Sequence, residues 1–476
     1  MSKHDSVAAA SSELVQALQS ALGSERVLTG PEAIARYPGF AWFPPRPRSP
    51  LRYPLGNPAA IVRPDSTEDV ATVLREATAK GVPVVPYGAG TGVMGGALPI
   101  RHGIVLDLGA MNRIRAIEPG NRLARVESGV ILGELARAAE QQGLLFAHDP
   151  WSLPIATVGG AVSTNGVGYL AAGYGGMGAQ VRGLEVVLAT GEIVSWSGAA
   201  KRSAGPDLWP MFVGAEGTLG VVTNVVVQLF PWPEARALAG VEFPTFADGF
   251  RVIDRFVGVG LHPTMIDYEE EEEGEPLAAP AQMFLAFDGP PEVVAATSKL
   301  ALRICGEHQG TDLGVAAAAH FWEHRHDSAL RFLNRSATLP PRRRSRLGSR
   351  YLDVAVPIDR VLDYCQAVIR LARAHGISAH SFGIWGRPEL LSVILEGPDA
   401  APTKSGELSP LDKATDAILR LAREEGGSIE YCHGVGVRFA HLLPEELGAG
   451  YALYRRIKSN LDPTGILNPG KLSAGE

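Results

Sequence analysis

The sequence predicts an α+β protein with two main domains. The chain has 476 residues, enough for two or three domains with separate hydrophobic cores. In its first half, short apolar strands and helical patterns alternate with glycine-rich loops. After the break at residues 231–233, PWP, strand–helix–strand units follow one another. That rhythm favours an antiparallel sheet covered by helices.

The first elements can be placed from caps and periodicity. Residues 1–54 combine a helix with a proline-rich approach, and a strand is expected at residues 60–62. The next helix begins after Ser66, whose hydroxyl can cap it, and Asp69 follows three residues later in a variant of the capping box. The further predicted elements of this half are strands at 104–108, 123–127, 183–188 and 192–196 and a helix near 132–139.

Residues 82–96, VPVVPYGAGTGVMGG, are the most informative stretch of the chain. Glycine allows successive backbone N–H groups to point at one anion. Residues 90–95 match G-x-G-x-x-G, but that dinucleotide fingerprint must open a helix, and here another strand follows. The loop is therefore predicted to hold phosphate between two strands, with a plain glycine turn as the alternative.

Two further segments extend this interpretation. Residues 149–168, DPWSLPIATVGGAVSTNGVG, have few side chains that could build a core. Residues 214–223, GAEGTLGVVT, run into a strand with alternating apolar positions. A cofactor with a pyrophosphate, a sugar and a flat ring would need several such backbone surfaces.

The three segments, in this order, resemble the FAD-binding domain of the vanillyl-alcohol oxidase and p-cresol methylhydroxylase superfamily. Residues 460–471, NLDPTGILNPGK, are similar to its closing segment. Within it, the chain most resembles the branch of D-lactate and glycolate dehydrogenases and alkyl-dihydroxyacetonephosphate synthases. The resemblance implies FAD, bound without a covalent link because the loop at 86–96 has neither histidine nor cysteine. The residues expected to bind it are Pro86, Tyr87, Gly88, Ala89, Gly90, Thr91, Gly92, Val93, Met94, Asp149, Pro150, Thr157, Gly159, Gly160, Ser163, Asn165, Gly166, Glu216, Gly217, Gly220, Val221, Val222 and Asn468.

The patterns and the resemblance together divide the chain into four parts. Residues 1–54 form the N-terminal segment, and residues 55–234 form a two-part FAD-binding domain of the p-cresol methylhydroxylase type. Residues 235–430 form an α+β substrate-cap domain with an antiparallel sheet. Residues 431–476 are expected to return to the FAD-binding domain, as in the resembling family.

The segment EYCHGVG, residues 430–436, contains the leading catalytic candidate, His433. Imidazole titrates near neutral pH, and the adjacent glycines leave the ring sterically open. A histidine that hydrogen-bonds within a tight turn is the alternative. In the resembling family the HGVG histidine lies at the reacting face of the flavin. The resemblance thus implies that His433 takes the substrate's hydroxyl proton while hydride moves to flavin N5.

Dehydrogenases of this branch often use a metal, and the sequence departs from their ligand pattern. The family ligands are two histidines spaced H-x-x-x-x-x-x-H and a glutamate before the HGVG histidine. Here residues 380–387, HSFGIWGR, begin with His380 and end with Arg387, and Cys432 replaces the glutamate. Because a metal needs three or four converging ligands, no catalytic metal is expected, although His380 remains a candidate active-site residue.

Two arginines are candidates for holding a substrate carboxylate, because a guanidinium forms bidentate pairs with such groups. Arg387 is one. Arg325 is the other, in a WEHR segment that resembles the cap-domain W-x-x-R of hydroxy-acid dehydrogenases. A surface charge is the alternative at both positions.

Composition narrows the classes of partner and location. The net charge of −7 argues against nucleic-acid binding, and no apolar run is long enough to span a membrane. The first residues lack a secretory signal, and three scattered cysteines suit a reducing cytoplasm. We therefore expect a cytoplasmic protein.

The sequence as a whole predicts an FAD-dependent oxidoreductase acting on the CH–OH group of a small anionic 2-hydroxy acid or a related alcohol. Its electron acceptor is unidentified, and a homodimer or a flavoprotein complex remains open. One alternative is a transferase like the alkyl-dihydroxyacetonephosphate synthases, although this chain has one histidine where that family has three in a row. The other is a flavin-carrying electron-transfer subunit of a complex.

Overall fold

The described helices and strands follow the predicted α+β order. The computed structural model describes residues 3–30, 58–198, 202–270, 275–331, 347–398 and 408–472, so most of the predicted proline-rich approach lies outside the described residues. The helices are α1 (Lys3–Leu22), α2 (Thr67–Lys80), α3 (Leu132–Glu140), α4 (Val158–Thr164), α5 (Ala171–Tyr174), α6 (Met177–Gln180), α7 (Phe246–Gly258), α8 (Pro291–Glu307), α9 (Gly314–His324), α10 (Val361–Ala374), α11 (Pro410–Glu424), α12 (Leu443–Leu447) and α13 (Ala449–Leu461). The strands are β1 (Val27–Leu28), β2 (Ala60–Val62), β3 (Val84–Tyr87), β4 (Ile104–Asp107), β5 (Ile114–Glu118), β6 (Leu123–Glu127), β7 (Leu144–Leu145), β8 (Val181–Val187), β9 (Ile193–Ser195), β10 (Val221–Gln228), β11 (Phe230–Pro231), β12 (Ala235–Phe243), β13 (Met265–Glu270), β14 (Ala281–Gly289), β15 (Thr311–Asp312), β16 (Leu347–Ala355), β17 (Ser378–Trp385) and β18 (Leu390–Pro398).

The described first half of the chain contains two larger sheets and a two-stranded antiparallel sheet of β7 and β11. One of the larger sheets has the order β1-β2-β4-β3, in which β2 and β3 both run parallel to β4. The glycine-rich loop joins β3 to its neighbour β4, so it lies between two strands as predicted. The other larger sheet, β5-β6-β10-β8-β9, is antiparallel.

Caps and apolar faces position the helices of this half. The hydroxyl of Ser66 accepts the N–H of Asp69 at 3.1 Å, which confirms the predicted start of α2. Gly81 ends that helix with φ +61°. Helix α4, by contrast, was not predicted within the second glycine-rich segment. It forms because Thr157 caps it and its small residues pack closely: a Cβ on Gly159 would lie 2.6 Å from that of Ser128.

The second half forms one antiparallel sheet with the strand order β15-β12-β14-β13-β17-β18-β16. One face of this sheet packs against α7, α8, α10 and α11 through a core that includes Phe246, Tyr268 and Phe382. On the other face, Met265 and Ala286 pack against Leu145 and Leu170 of the first half. This second face of the sheet therefore lies toward the glycine-rich loops.

The end of the chain returns to the first sheet. Strand β3 is extended by the C-terminal segment, because Val84 N–H donates to Ile466 and Asn468 N–H donates to Val84. The buried ammonium of Lys458 donates to the carbonyl oxygens of Thr218 and Leu467, at 2.7 and 2.9 Å. Within the described residues, no helix is both long and apolar enough to cross a membrane.

Candidate active site

An open cavity lies between the glycine-rich loops and the seven-stranded sheet, with an empty volume of about 1380 Å³ that includes its mouth. Of the residues predicted to bind the cofactor, all except Val93, Asp149 and Asn165 line it. On the side of the sheet, the cavity is lined by Trp385, Cys432 and His433. The segments that are far apart in the sequence thus share one cavity.

The three exceptions support the walls of the cavity from behind. Val93 packs against the core of the second half. The amide oxygen of Asn165 accepts the N–H of Gly178 at 2.9 Å. Asp149 forms an ion pair with Arg325, which is described below.

Close backbone approach explains the glycines of the first loop. Gly90 has φ +66°, and a Cβ there would lie 2.2 Å from the hydroxyl oxygen of Tyr87. A Cβ on Gly88 would lie 2.4 Å from the hydroxyl oxygen of Thr157, in the second segment. Gly92, in contrast, has nothing within 4 Å of that position. The backbone around Gly92 is therefore open toward the cavity and can approach a phosphate group.

Glu216 joins the third glycine-rich segment to the loop that carries His433. Its carboxylate accepts the N–H groups of Val435, at 2.8 Å, and Gly436, at 3.0 Å. The side-chain amide of Asn468 donates to the Glu216 carbonyl oxygen at 2.6 Å and to that of Gly96 at 2.8 Å. Burial raises the pKa of Glu216 to about 7, although the backbone N–H groups of Gly436 and Val435 oppose the shift.

His433 lies in a cluster with two carboxyl groups. Its Nδ1 is 2.9 Å from Oδ2 of Asp353 and 3.8 Å from Oε1 of Glu430. Its Nε2 is 3.7 Å from the sulfur of Cys432, on the cavity wall. The hydroxyl of Ser392 donates to the carboxylate of Asp353.

The charges in this cluster compensate one another. Burial lowers the pKa of His433, but its interactions with the neighbouring Cys432 and Asp353 outweigh burial and raise that pKa well above its usual value. Burial raises the pKa of Asp353, but His433 outweighs it, so that pKa is lowered. Burial and the Asp353 charge raise the pKa of Glu430 to about 8. An imidazolium, a carboxylate and a protonated carboxyl group together carry no net charge, which makes their burial tolerable.

Asp353, Glu430 and His433 each offer one potential ligand atom, and these three atoms lie within 4.8 Å of one another. This spacing could also surround a cation. Nδ1 of His433 is 2.9 Å from the Asp353 carboxylate, which is close enough for an ion pair when the ring is protonated.

The other predicted catalytic residues do not contribute to the described lining of the cavity. Arg325 donates to the buried carboxylate of Asp149 at 2.9 Å, and its guanidinium stacks 3.8 Å from the ring centroid of Trp322. Arg387 is largely exposed and pairs with Glu389. His380 lies at an irregularity in β17, between Ala379 and Ser381. Among the described residues, none of these three predicted residues lines the cavity.

The cavity also contains residues that sequence reasoning missed. Tyr169 and Trp385 stack with a centroid distance of 6.2 Å and form a wall on the side of the sheet. Ser128 directly follows β6 and stands before a single glycine, Gly129, rather than in a glycine-rich run. Asp353 supports His433 from a buried position of β16, between the buried residues Leu352 and Val354. A carboxylate at a buried strand position was the available signal for Asp353.

Unpartnered polar atoms on the cavity wall fit a bound cofactor. Ser128 Oγ, His148 Nδ1 and Asn468 Oδ1 are buried and have no hydrogen-bond partner in the described part of the chain. Burial lowers the pKa of His148 to about 4, so its ring is neutral near pH 7. Buried polar groups are normally satisfied, so these atoms and the open backbone near Gly92 suit a polar ligand such as FAD.

Comparisons with known proteins agree with this geometry. Residues 58–197 match the family described as FAD binding domain, and residues 232–472 match FAD linked oxidases, C-terminal domain. Glycolate oxidase subunit GlcD of Bacillus subtilis is 31% identical over 432 residues, which cover 88% of this chain and 89% of that protein. D-lactate dehydrogenase of Anaerostipes hadrus is 30% identical over 444 residues, with coverage of 88% and 90%.

Solved structures confirm the predicted fold. p-Cresol methylhydroxylase with substrate bound matches with a TM-score of 0.77 and 20% identity, covering 97% of this chain and 96% of that chain. An alkyldihydroxyacetonephosphate synthase matches with a TM-score of 0.68 and 22% identity, covering 87% and 77%. At such identities the likeness shows the fold alone. Together with the two family matches and the relatives of 30% identity or more, it shows that this chain belongs to the FAD-linked oxidases, in the branch of the D-lactate and glycolate dehydrogenases.

Proposed function

We propose that the protein oxidises the CH–OH group of a small hydroxy acid or a related alcohol, with His433 as the base that accepts the hydroxyl proton. The observation that supports this most is the position of His433 on a cavity wall shared with the glycine-rich loops. Bound FAD would supply the hydride acceptor that such an oxidation requires. The predicted cofactor residues that line the cavity would hold it there.

His433 accepts a proton only as the neutral imidazole. Because its pKa is raised, the neutral fraction grows as the pH rises through that pKa. We therefore expect turnover to increase with pH over this range and to fall as His433 becomes protonated. Once protonated, the ring is stabilised by the carboxylate of Asp353.

The described lining of the cavity does not supply an arginine or lysine to pair with an anionic group on the substrate. Tyr169 and Trp385 offer aromatic surface instead. Arg325 is already paired with Asp149. Hydroxy acids and neutral alcohols of matched size should therefore be compared directly, starting with glycolate and D-lactate because the relatives' names give these substrates.

A second candidate is a flavin-carrying subunit of a larger oxidase. The name of the Bacillus subtilis relative describes that protein as a subunit. In this case the chain would still oxidise the substrate, but its electrons would leave through another protein.

Anaerobic flavin reduction tests the first proposal without any electron acceptor. The FAD-loaded protein is mixed with each compound, and the loss of the visible absorption of oxidised flavin is followed. At least one hydroxy compound should bleach the flavin, and His433→Asn should retain FAD but lose this reaction. Bleaching at an unchanged rate in His433→Asn would contradict the role of the base, and a flavin that no hydroxy compound reduces would contradict the proposed reaction.

A further inference from the structure

We propose that Asp353 is a positioning residue that fixes the ring of His433, with Nδ1 bearing a proton toward the carboxylate and Nε2 directed toward Cys432 on the cavity wall. Its role in turnover rests on the function proposed above. Its effect on the ring itself does not, and can be measured separately.

Asp353 is held in place from two sides. It lies on β16 directly opposite Ser392 of β18, and the hydroxyl of Ser392 donates to its carboxylate. Its backbone carbonyl oxygen accepts the N–H of Tyr431 at 3.0 Å, just before the loop that carries His433. The Asp353 side chain is 8% exposed, so water offers it little competition. The carboxylate is therefore aimed at the imidazole by the sheet rather than by a flexible loop.

Asp353, rather than Glu430, is the carboxylate that lies closest to Nδ1. Glu430 Oε1 is 3.8 Å from Nδ1 and already accepts the N–H groups of Cys432, at 2.8 Å, and His433, at 2.7 Å. Asp353 Oδ2 approaches Nδ1 to 2.9 Å. Among the described residues, the titratable groups next to the His433 ring are Asp353 from β16 and Glu430 and Cys432 from its own segment.

A carboxylate at Nδ1 decides the state of the other nitrogen. In the neutral ring, the proton on Nδ1 donates to the carboxylate, so Nε2 is the acceptor. In the protonated ring, the same carboxylate stabilises the charge. Both effects favour proton transfer from a substrate in the cavity to Nε2.

The chain contains a matched pair for comparison. Nε2 of His441 is 3.0 Å from Oδ1 of Asp416, and neither residue is among the described lining of the cavity. Asp416→Asn removes a histidine–carboxylate contact of similar length, outside the site. It controls for the loss of a carboxylate that contacts a histidine.

The test is an NMR titration of histidine ring signals in the FAD-loaded protein, with His433 assigned from His433→Gln. In Asp353→Asn we expect the His433 midpoint to fall by about one pH unit or more and the Nδ1-protonated tautomer to lose population. Asp416→Asn should leave the His433 signals unchanged. If Asp353→Asn fails to hold FAD, Ser392→Ala, which frees the carboxylate, must alter the tautomer. Unchanged His433 signals in a folded Asp353→Asn or Ser392→Ala protein would overturn the proposal.

Turnover separates this proposal from the proposed function. With a substrate that bleaches the flavin, Asp353→Asn should lower kcat roughly 10- to 100-fold with little change in KM, and Asp353→Glu should restore part of it. The acid limb of its pH profile should move to lower pH. If no compound bleaches the flavin but the NMR shift occurs, the proposed function fails while the positioning of His433 stands. A normal kcat and pH profile in Asp353→Asn would contradict the positioning role.

Discussion

The carboxylate of Glu216 accepts the backbone N–H of Gly436 at 3.0 Å and thereby fixes the loop that carries His433 against the glycine-rich segments. A Cβ on Gly436 would lie 2.0 Å from the carbonyl oxygen of Met94, so this loop also touches the first segment directly. The position of the candidate base therefore depends on contacts between parts of the chain that are distant in sequence.

Glu216 should give stability a distinctive pH dependence. Its pKa is about 7 in the folded protein and near 4.5 in the unfolded chain, so folding favours the protonated form. This raised pKa contributes stability below about pH 4.5 that is lost as the pH rises toward about 7. Glu216→Gln cannot titrate, so its stability deficit relative to wild type should shrink across this range. Denaturant unfolding of the FAD-loaded proteins at several pH values measures this difference in stability. Substitution of the exposed residue Glu140, Glu140→Gln, is the control. If the difference in the free energy of unfolding between wild type and Glu216→Gln did not change with pH, the raised pKa of Glu216 would be contradicted.

Two glycines of the first loop should respond differently to alanine. The site next to Gly92 is open, so Gly92→Ala should leave the stability of the FAD-free protein unchanged but weaken FAD binding, because the new methyl group meets the phosphates. Gly90→Ala should lower the FAD-free stability itself, because φ is +66° and Tyr87 occupies the space. Thermal unfolding with and without FAD measures both, and Gly120→Ala, with open surroundings outside the cavity, is the control. Normal FAD affinity in Gly92→Ala would mean that this loop is a plain glycine turn.

The glycine-rich loops that line the cavity could be predicted from the sequence, whereas the contacts of His433 and Arg325 could not. The loop between β3 and β4 was predictable because glycines and the following strand are local signals. Helix α4 was not, since glycine and β-branched residues disfavour helices and packing against Ser128 supplies the support. The contact between Asp353 and His433 depends on the register of β16 against β18, which no short motif encodes. Arg325, which was predicted to bind the substrate carboxylate, pairs instead with Asp149, which is far away in the sequence.

Arg325 and Asp149 should behave as one structural unit. Their ion pair is almost fully buried and joins the end of α9 to the second glycine-rich segment. Among the described residues, Arg325→Ala leaves the Asp149 carboxylate with His326, at 2.7 Å, as its remaining side-chain partner, so the free energy of unfolding should fall by roughly 3–5 kcal/mol. Asp149→Asn should also destabilise, and the double variant should fall short of the sum. If instead Arg325 held the substrate carboxylate, Arg325→Ala would raise KM for hydroxy acids at unchanged stability.

Chelators should leave the reaction unaffected. Two of the three expected family ligands are replaced, by Arg387 and Cys432, and in the described residues the His433 cluster can be neutral with a proton in place of a cation. Dialysis of the FAD-loaded protein against a strong chelator should therefore change neither flavin reduction nor FAD retention, and added Zn²⁺ or Mn²⁺ should not raise the rate. A rate that is lost on dialysis and restored by one of these ions would establish a metal site.

Cys432 should be the first of the three thiols to react with iodoacetamide. Burial raises the pKa of Cys305 to about 12 and that of Cys365 well above its usual value, so neither forms the thiolate readily. Cys432 lines the cavity, 3.7 Å from Nε2 of His433, so a reagent that enters the cavity can reach its thiol. Peptide mass mapping of the FAD-loaded protein near neutral pH should find the label on Cys432 alone. Because the added group would fill space beside the base, flavin reduction should be lost in parallel, whereas Cys432→Ser should resist inactivation. Equal labelling of Cys305 or Cys365 would show that the thiols do not differ as their burial requires.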